Sequence, residues 1–231
     1  MEKKKSVLNV SVAVGFRLLM LIGSILVRRY LIRYIGNEVN GLDSLYNSLI
    51  GFLSVAELGV GSAITFCMYK PIVEGDTNKV ASLYRLFVKA YRVIAITMLA
   101  VGAGMIPFLP YLAKDYAELD VNLSLTFFLM LLSVVISYVF SAKTSLINAY
   151  KNNYVTTTIS SVGMLIQYGA QIIVILTTHS FVAYLVCRIA AMVLQWIATD
   201  IYAGRHHREI LRHGKETVDA GTKKEIINKV K

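Results

Sequence analysis

Four arginines lie inside or at the edge of the first hydrophobic segment of the chain: Arg17, Arg28, Arg29 and Arg33. An arginine near the centre of a bilayer costs on the order of 2.5–3.5 kcal/mol, so an arginine inside a membrane segment is a candidate functional residue that needs a partner. A guanidinium is a permanent cation with a planar fork of N–H donors, which suits phosphate and carboxylate groups. The four arginines therefore predict a site for an anion.

Helical geometry separates these arginines into two groups. Arg17 and Arg28 are 11 residues apart, which puts them on one face of a helix, about 16 Å apart along its axis, with Ser24 between them. We expect this face to line a cavity. Arg29 is rotated by about 100° from Arg28, and Arg33 lies nearer the water. For Arg29 and Arg33 we expect interfacial anchoring or contact with lipid headgroups.

The second hydrophobic segment contains one acidic residue in its interior, Glu57. Counted outward from the turn between the two segments, Glu57 and Arg17 lie within roughly 5 Å of the same depth. Two interpretations are open. The pair holds Arg17 in a water-filled central cavity, or it is a structural ion pair that locks two helices together.

The last two hydrophobic segments also carry polar residues. Arg188 and Gln195 are two turns apart on one face of the sixth segment, and we expect that face to line the same cavity. The candidate ligands for an anion are therefore Arg17, Arg28 and Arg188. Gln167 and Gln171 are spaced i to i+4 in the fifth segment, where bridging between helices is the expected role.

The composition indicates an integral membrane protein. The 231 residues are 56% hydrophobic and only 16% charged, and the mean hydropathy is +0.59, whereas about a quarter of the residues of an ordinary soluble domain are charged. The net charge of +10 comes from short blocks between apolar runs, with no basic stripe, so we expect no nucleic-acid partner.

Six apolar runs are long enough to cross a bilayer, which takes about 20 residues per helix. None of them shows the strict alternation of a barrel strand, so the predicted fold class is all-α, a polytopic six-transmembrane-helix bundle. Residues 1–203 form the predicted transmembrane lobe, and residues 204–231 form a basic cytoplasmic tail or linker. The predicted spans are approximately 8–34, 43–67, 92–112, 123–142, 155–177 and 181–203.

The distribution of basic residues sets the predicted orientation. Most of the 24 Lys and Arg residues fall in the connections that share a side with the N-terminus, which predicts a multi-pass protein with both termini in the cytoplasm. Arg28, Arg29 and Arg33 then lie at the outer end of the first helix, against this trend. We expect that these three arginines break the positive-inside trend because their charges are used to bind an anion.

The sequence carries no catalytic or metal-binding pattern. It has no paired carboxylates, no His/Cys ligand spacing and no Gly-rich phosphate loop, so we expect no enzymatic activity, no cofactor and no metal. Cys67 and Cys187 lie in apolar runs and are interpreted as small hydrophobic residues. His206 and His207 are interpreted as solvated residues of the tail.

Several blocks of the first half of the chain resemble one family of transporters. They are residues 28–36 (RRYLIRYIG), 41–42 (GL) with 45–46 (LY), 56–64 (AELGVGSAI), 69–72 (YKPI) with 75–76 (GD), 91–92 (YR) and 107–110 (PFLP). The likeness is to the N-terminal half of bacterial polysaccharide-unit flippases, the Wzx-like members of the multidrug/oligosaccharidyl-lipid/polysaccharide exporter superfamily. The fold that the resemblance implies is one lobe of a MATE- or MurJ-like two-lobe transporter.

The resemblance implies transport of oligosaccharide units linked to undecaprenyl diphosphate, from the inner to the outer leaflet of the bacterial plasma membrane, for capsule, exopolysaccharide or O-antigen assembly. Its partners would be membrane lipids and the anionic lipid-linked oligosaccharide. The role of basic cavity residues in this family is carried onto Arg17 and Arg28. The family's members have about twice as many helices, which implies a second six-helix lobe from the same gene, a split partner or a second copy.

Two alternatives are open beside the flippase. The first is a cation-coupled multidrug exporter of the same superfamily, which would favour acidic residues in the cavity. The second is a non-catalytic membrane subunit of a polysaccharide assembly complex.

Overall fold

The computed structural model describes residues 2–54, 60–112, 119 and 121–212, with side chains described from residue 15 to residue 211 of these ranges. The described residues form helices and short connections, and none of them is in a strand. The predicted all-α class is therefore confirmed for this part of the chain. The α-helices are α1 (Glu2–Tyr34), α2 (Asn37–Ser54), α3 (Val60–Glu74), α4 (Thr77–Met105), α5 (Leu109–Leu112), α6 (Leu123–Ala149), α7 (Asn153–Thr178), α8 (Phe181–His206) and α9 (Arg208–Arg212).

Four segments within the described ranges are long and apolar enough to cross a membrane. A helix satisfies its own backbone hydrogen bonds, which is the condition for entering hydrocarbon. The chain is accordingly an all-α protein with the helices of a multi-pass membrane protein. The four segments are Thr77–Leu112, Leu123–Ala149, Asn153–Thr178 and Phe181–His206.

The first two predicted spans remain predictions. Residues 8–34 fall within α1, and residues 43–67 fall on α2 and α3. Residues 55–59, between α2 and α3, lie outside the described residues, as do the side chains before residue 15. The count of six transmembrane helices is therefore neither confirmed nor contradicted.

The helices pack in a continuous order across the bundle. α6 lies between α4 and α8, α7 packs on α8, and α1 packs on α7 and α2. The most deeply buried side chains are large apolar groups contributed mainly by α2, α4 and α6, and they make this side of the molecule its core. Examples are Tyr46, Leu83, Phe87, Phe127, Met130 and Leu131.

Short turns join the helices that build the cavity described below. Gly36 connects α1 to α2 with a φ of 129°, a conformation that an L side chain rarely adopts. Between α7 and α8, His179 has a φ of 49°, and the Ser180 hydroxyl accepts a hydrogen bond from the Ala183 N–H at 3.4 Å. Each connection between Tyr34 and Asn37, and between Thr178 and Phe181, is thus two residues long, and each pair of helices forms a hairpin.

A proline lies in the turn that follows the fourth helix. α4 stops at Met105, a 3-10 turn spans Ile106–Phe108, and α5 follows at Leu109–Leu112. Pro107 lies in the first positions of the 3-10 turn, where the missing N–H of proline costs no helical hydrogen bond.

The beginning of the predicted tail is part of the packed structure. α8 continues to His206, and α9 packs against α4. His207 and Ile210 are buried, with relative exposures of 7% and 5%. The interpretation of His207 as a solvated tail residue is therefore wrong, because the turn after α8 folds it back against Tyr150, with ring centroids 4.6 Å apart.

Candidate functional site

A cavity of about 500 Å³ lies between the α1–α2 hairpin and the α7–α8 hairpin. Its volume is within the range of about 300–1,000 Å³ that ligand pockets usually have. Charged and neutral polar side chains from all four helices line it. Besides the charged residues discussed below, the polar lining comprises Ser24, Asn40, Ser44, Asn47, Gln167 and Gln171.

Two of the three predicted anion ligands lie in this cavity. Arg28 reaches it from α1 and Arg188 from α8, and Ser24 lies one helical turn before Arg28 on the same face. Among the described residues, neither arginine has a carboxylate oxygen within 4.0 Å. Both guanidinium groups are therefore available to an anion that enters the cavity.

The cavity also contains an acidic residue that was not predicted. Asp43 lines it from α2. One carboxylate oxygen, Oδ2, accepts a hydrogen bond from Asn47 Nδ2 at 3.1 Å, while Oδ1 is buried and has no hydrogen-bond partner among the described residues. Arg188 and Arg28 are close enough to act on Asp43 electrostatically. The described lining thus combines two cations with one anion.

The polar face of α2 was visible in the sequence. Asn40, Asp43 and Asn47 follow a spacing of three and four residues, which puts them on one face of a helix. Sequence reasoning missed Asp43 because it treated this residue as the first of a membrane span rather than as part of a polar face. The spacing is the signal that could have found it.

Two glutamines and a tyrosine complete the wall on the α7–α8 side. Gln167 and Gln171 line the cavity, as does Tyr184 of α8. The side-chain amide of Gln171 donates a hydrogen bond to the backbone oxygen of Tyr184 at 3.5 Å. The expected bridging role is therefore observed for Gln171, and both glutamines also face the cavity.

A glycine allows α1 to approach α7 and so brings the two hairpins together. A Cβ added at Gly23 would lie 2.6 Å from Cδ2 of Tyr168, a distance that real Cβ atoms do not show. Tyr168 itself lines the cavity. The missing side chain at Gly23 thus sets the position of one wall, as small residues do at contacts between membrane helices.

The other predicted site residues lie elsewhere. Arg17 is exposed and does not line this cavity. Its predicted partner Glu57 lies outside the described residues, so the ion pair stays a prediction in both of its interpretations. Arg29 and Arg33 are exposed near the end of α1, and the Arg33 guanidinium lies 5.9 Å from the centroid of the Tyr34 ring.

Gln195 does not reach the cavity, although it was expected there. It is buried and packs against Gly163 of α7, where an added Cβ would come within 2.4 Å of its Cγ. The close approach of α7 and α8 at Gly163 turns this part of α8 toward its neighbour rather than toward the cavity. The expectation that Gln195 lines the cavity with Arg188 is therefore wrong.

The described residues hold no group of three or more His, Cys, Asp or Glu side chains that could bind a metal ion. Comparison of the chain with protein-family models, with curated proteins and with solved structures found no match.

Proposed function

We propose that this chain forms one lobe of a flippase that carries an oligosaccharide linked to undecaprenyl diphosphate across the bacterial plasma membrane, for capsule, exopolysaccharide or O-antigen assembly. The observation that carries the proposal is the convergence of Arg28 and Arg188, from two different helices, on one polar cavity. A diphosphate cannot enter hydrocarbon without compensation for its charge. Two guanidinium forks supply that compensation and hold several oxygens at once.

The neutral polar lining supports a cargo that carries sugar next to the diphosphate. Asn47, Gln167 and Ser24 offer amide and hydroxyl groups, which exchange hydrogen bonds with sugar hydroxyls. The volume of about 500 Å³ is suited to the diphosphate and the first sugar, so the rest of the oligosaccharide would extend beyond it. A second six-helix lobe, from the same gene, a split partner or a second copy, would supply the opposite wall.

Binding of inorganic pyrophosphate to the full chain in detergent tests the role of the two arginines. Arg28→Gln and Arg188→Gln should each weaken binding about tenfold or more, because a hydrogen bond to a charged group contributes about 1.5–3 kcal/mol. Arg33→Gln is the matched control, since it removes the same charge from an exposed position outside the cavity, and it should leave binding within about twofold.

Complementation of a bacterium that lacks its own flippase tests transport. The full chain, expressed so that a second lobe is present, should restore surface polysaccharide, and the Arg28→Gln/Arg188→Gln double variant should not. The proposal is wrong if the well-expressed chain restores export of none of several repeat units, expressed with and without a second lobe, and binds no pyrophosphate.

A cation-coupled multidrug exporter of the same superfamily is the second candidate, because Asp43 places a carboxylate with an unpartnered oxygen in the cavity. A buried carboxylate of this kind suits a proton or another cation. This candidate predicts efflux of a cationic dye from cells that express the chain, and loss of that efflux in Asp43→Asn. Dye efflux without any pyrophosphate binding would favour it over the flippase.

A further inference from the structure

A second cavity, of about 610 Å³, lies at the end of the bundle where α4 begins and α8 ends. Thr77 and Tyr150 form one side of it, from the first residue of α4 and from the connection between α6 and α7. The other side comes from the last turn of α8 and the short helix α9. None of the residues of this cavity belongs to the site between the two hairpins.

The position of this cavity relative to a bilayer follows from the helices that end there. The membrane-capable segment Thr77–Leu112 begins at the cavity, and the segment Phe181–His206 ends there. The segment Leu123–Ala149 ends immediately before Tyr150. The ends of membrane-spanning helices lie at the level of the headgroups. Tyrosines are concentrated at that level, and Tyr150 lines the cavity here.

Two arginines make the cavity cationic. Arg205 and Arg208 line it and are exposed, and within the described part of the chain neither has a carboxylate within 4.0 Å. Glu209 is the one acidic side chain among the described lining residues. The C-terminal end of α8 contributes a partial negative charge equivalent to about half an electron, which does not neutralise two guanidinium groups.

A buried histidine distinguishes this cavity from an ordinary basic surface. His207 lines it with only 7% of its surface exposed. The imidazole Nε2 is buried and has no hydrogen-bond partner among the described residues. The His207 backbone N–H donates to the Ala203 oxygen at 2.8 Å, so the residue is held in place. Burial of an unpaired polar group is costly unless a partner is supplied.

We propose that this cavity binds a phosphate group at the membrane surface, held by the guanidinium groups of Arg205 and Arg208 with the imidazole of His207 beside it. Basic pockets between membrane helices are suited to anionic headgroups, and arginine binds phosphate through two parallel hydrogen bonds. The phosphate is that of an anionic lipid headgroup or free inorganic phosphate. This site does not depend on the function proposed for the other cavity.

The full chain in lipid nanodiscs tests the site and separates the two sources. The protein is placed in nanodiscs of phosphatidylcholine with and without phosphatidic acid, and native mass spectrometry measures how much lipid it retains. Calorimetry in detergent measures its binding of inorganic phosphate. The Arg205→Gln/Arg208→Gln double variant should weaken binding about tenfold or more. The double variant Lys89→Gln/Arg92→Gln, at exposed positions of α4 that do not line the cavity, removes equal charge and should change binding less than about twofold.

The outcomes are distinct. Retention of phosphatidic acid without binding of inorganic phosphate assigns the site to a lipid headgroup, and binding of inorganic phosphate assigns it to the phosphate group itself. The proposal is overturned if neither binds, or if the control double variant loses as much binding as the cavity variant, because net surface charge would then account for the effect.

His207→Leu gives a second measurement, because leucine has no hydrogen-bond donor. It should weaken binding about threefold or more while both arginines remain, since removing one donor of a hydrogen bond to a charged group costs at least about that much. If His207→Leu unfolds the protein, the exposed arginine pair still decides the proposal. Binding unchanged in a folded His207→Leu variant would remove His207 from the site.

Discussion

One face of α2 is packed and a neighbouring face lines a cavity. The polar groups on the packed face are hydrogen-bonded, whereas a carboxylate oxygen on the cavity face is not. Leu42, Tyr46 and Ile50 follow one another at intervals of four residues and are buried. Asp43 and Asn47 each come one residue after Leu42 and Tyr46, are rotated from them by about 100° around the helix axis, and line the cavity between the two hairpins. A single helix of 18 residues therefore serves both the core and the candidate site.

On the packed face, the buried hydroxyl of Tyr46 has hydrogen-bond partners. Tyr46 donates a hydrogen bond to the Leu123 oxygen at 2.9 Å, its hydroxyl lies 3.1 Å from Thr126 Oγ1, and its ring meets Phe127 edge to face at 5.2 Å. On the cavity face, Asp43 Oδ1 has no partner among the described residues. On α2 the buried hydroxyl that serves the fold is paired, whereas the carboxylate that lines the cavity keeps one oxygen unpaired, and such a buried group calls for an explanation.

The largest effect is expected on the packed face. Tyr46→Ala removes a fully buried ring and two polar contacts, and it should lower the free energy of unfolding by about 3–5 kcal/mol. Tyr46→Phe keeps the ring and should cost only about 1 kcal/mol. Denaturation of the purified chain in detergent measures both. A loss below about 1 kcal/mol for Tyr46→Ala would contradict the packing described for this face.

A smaller loss of stability is expected where α4 meets α6. A Cβ added at Gly102 would lie 2.6 Å from Leu131 Cδ2, whereas nothing lies within 4 Å of one added at Gly104. Gly102→Ala should therefore cost about 1–3 kcal/mol. Gly104→Ala should be neutral or stabilise by up to about 1 kcal/mol, because alanine is the better helix former. Thermal unfolding of the two variants side by side tests the contrast, and equal stability would refute it.

On the cavity face we expect a change in binding rather than in stability. Asp43→Asn removes the negative charge near Arg28 and Arg188 and should tighten pyrophosphate binding about fivefold, equivalent to roughly 1 kcal/mol between charges in a solvated site. Asn47→Ala removes the hydrogen-bond donor to Asp43 without changing the charge and serves as the control. Weaker binding in Asp43→Asn would mean that the carboxylate itself contacts the ligand.

The smallest effect is a pH dependence at the end of α8. Burial, and secondarily His206, lowers the pKa of His207 below its ordinary value of 6.5. The unfolded chain therefore binds the proton more readily, so the stability from neutral His207 is complete above pH 6.5 and is lost as the pH falls below it. The slope is below about 1.4 kcal/mol per pH unit.

His207→Gln should flatten this slope in acid denaturation curves between pH 7 and pH 5. His179→Asn changes an exposed histidine at the opposite end of the bundle and should leave the slope unchanged. A slope that survives in His207→Gln would assign it to other groups.

Hydropathy alone finds the helices that are apolar all round, but it does not show where a partly amphipathic helix begins. The predicted span 92–112 corresponds to a helix that begins at Thr77. The additional turns are amphipathic: Val80, Leu83 and Phe87 are buried, while Arg85 and Lys89 are exposed on the opposite face and lower the average hydropathy of the window. A window that averages over both faces cannot detect such a helix, but the 3.6-residue period can.

The sequence predicted which residues of a single helix could belong to the site, but not which residues of different helices would come together. Arg28 and Arg188 were identified because charge in an apolar run is costly. Which of the arginines would meet was not predictable, because it depends on how the hairpins pack, and that is set by close contacts such as Gly23 against Tyr168. Arg17, three helical turns before Arg28, is on the same face of α1 and still does not line the cavity.

The two hairpins touch where they turn, so a rotation of one hairpin against the other about this contact would move the residues of the cavity apart. The rings of Tyr34 and His179 lie 5.7 Å apart, where the two hairpins turn. Arg28 is six residues from this contact and Arg188 nine, so the two residues lie about 9 Å and 14 Å from it along their helices. A rotation of about 10° between the hairpins would move the two charges apart by about 2 Å, which is enough to break a hydrogen bond.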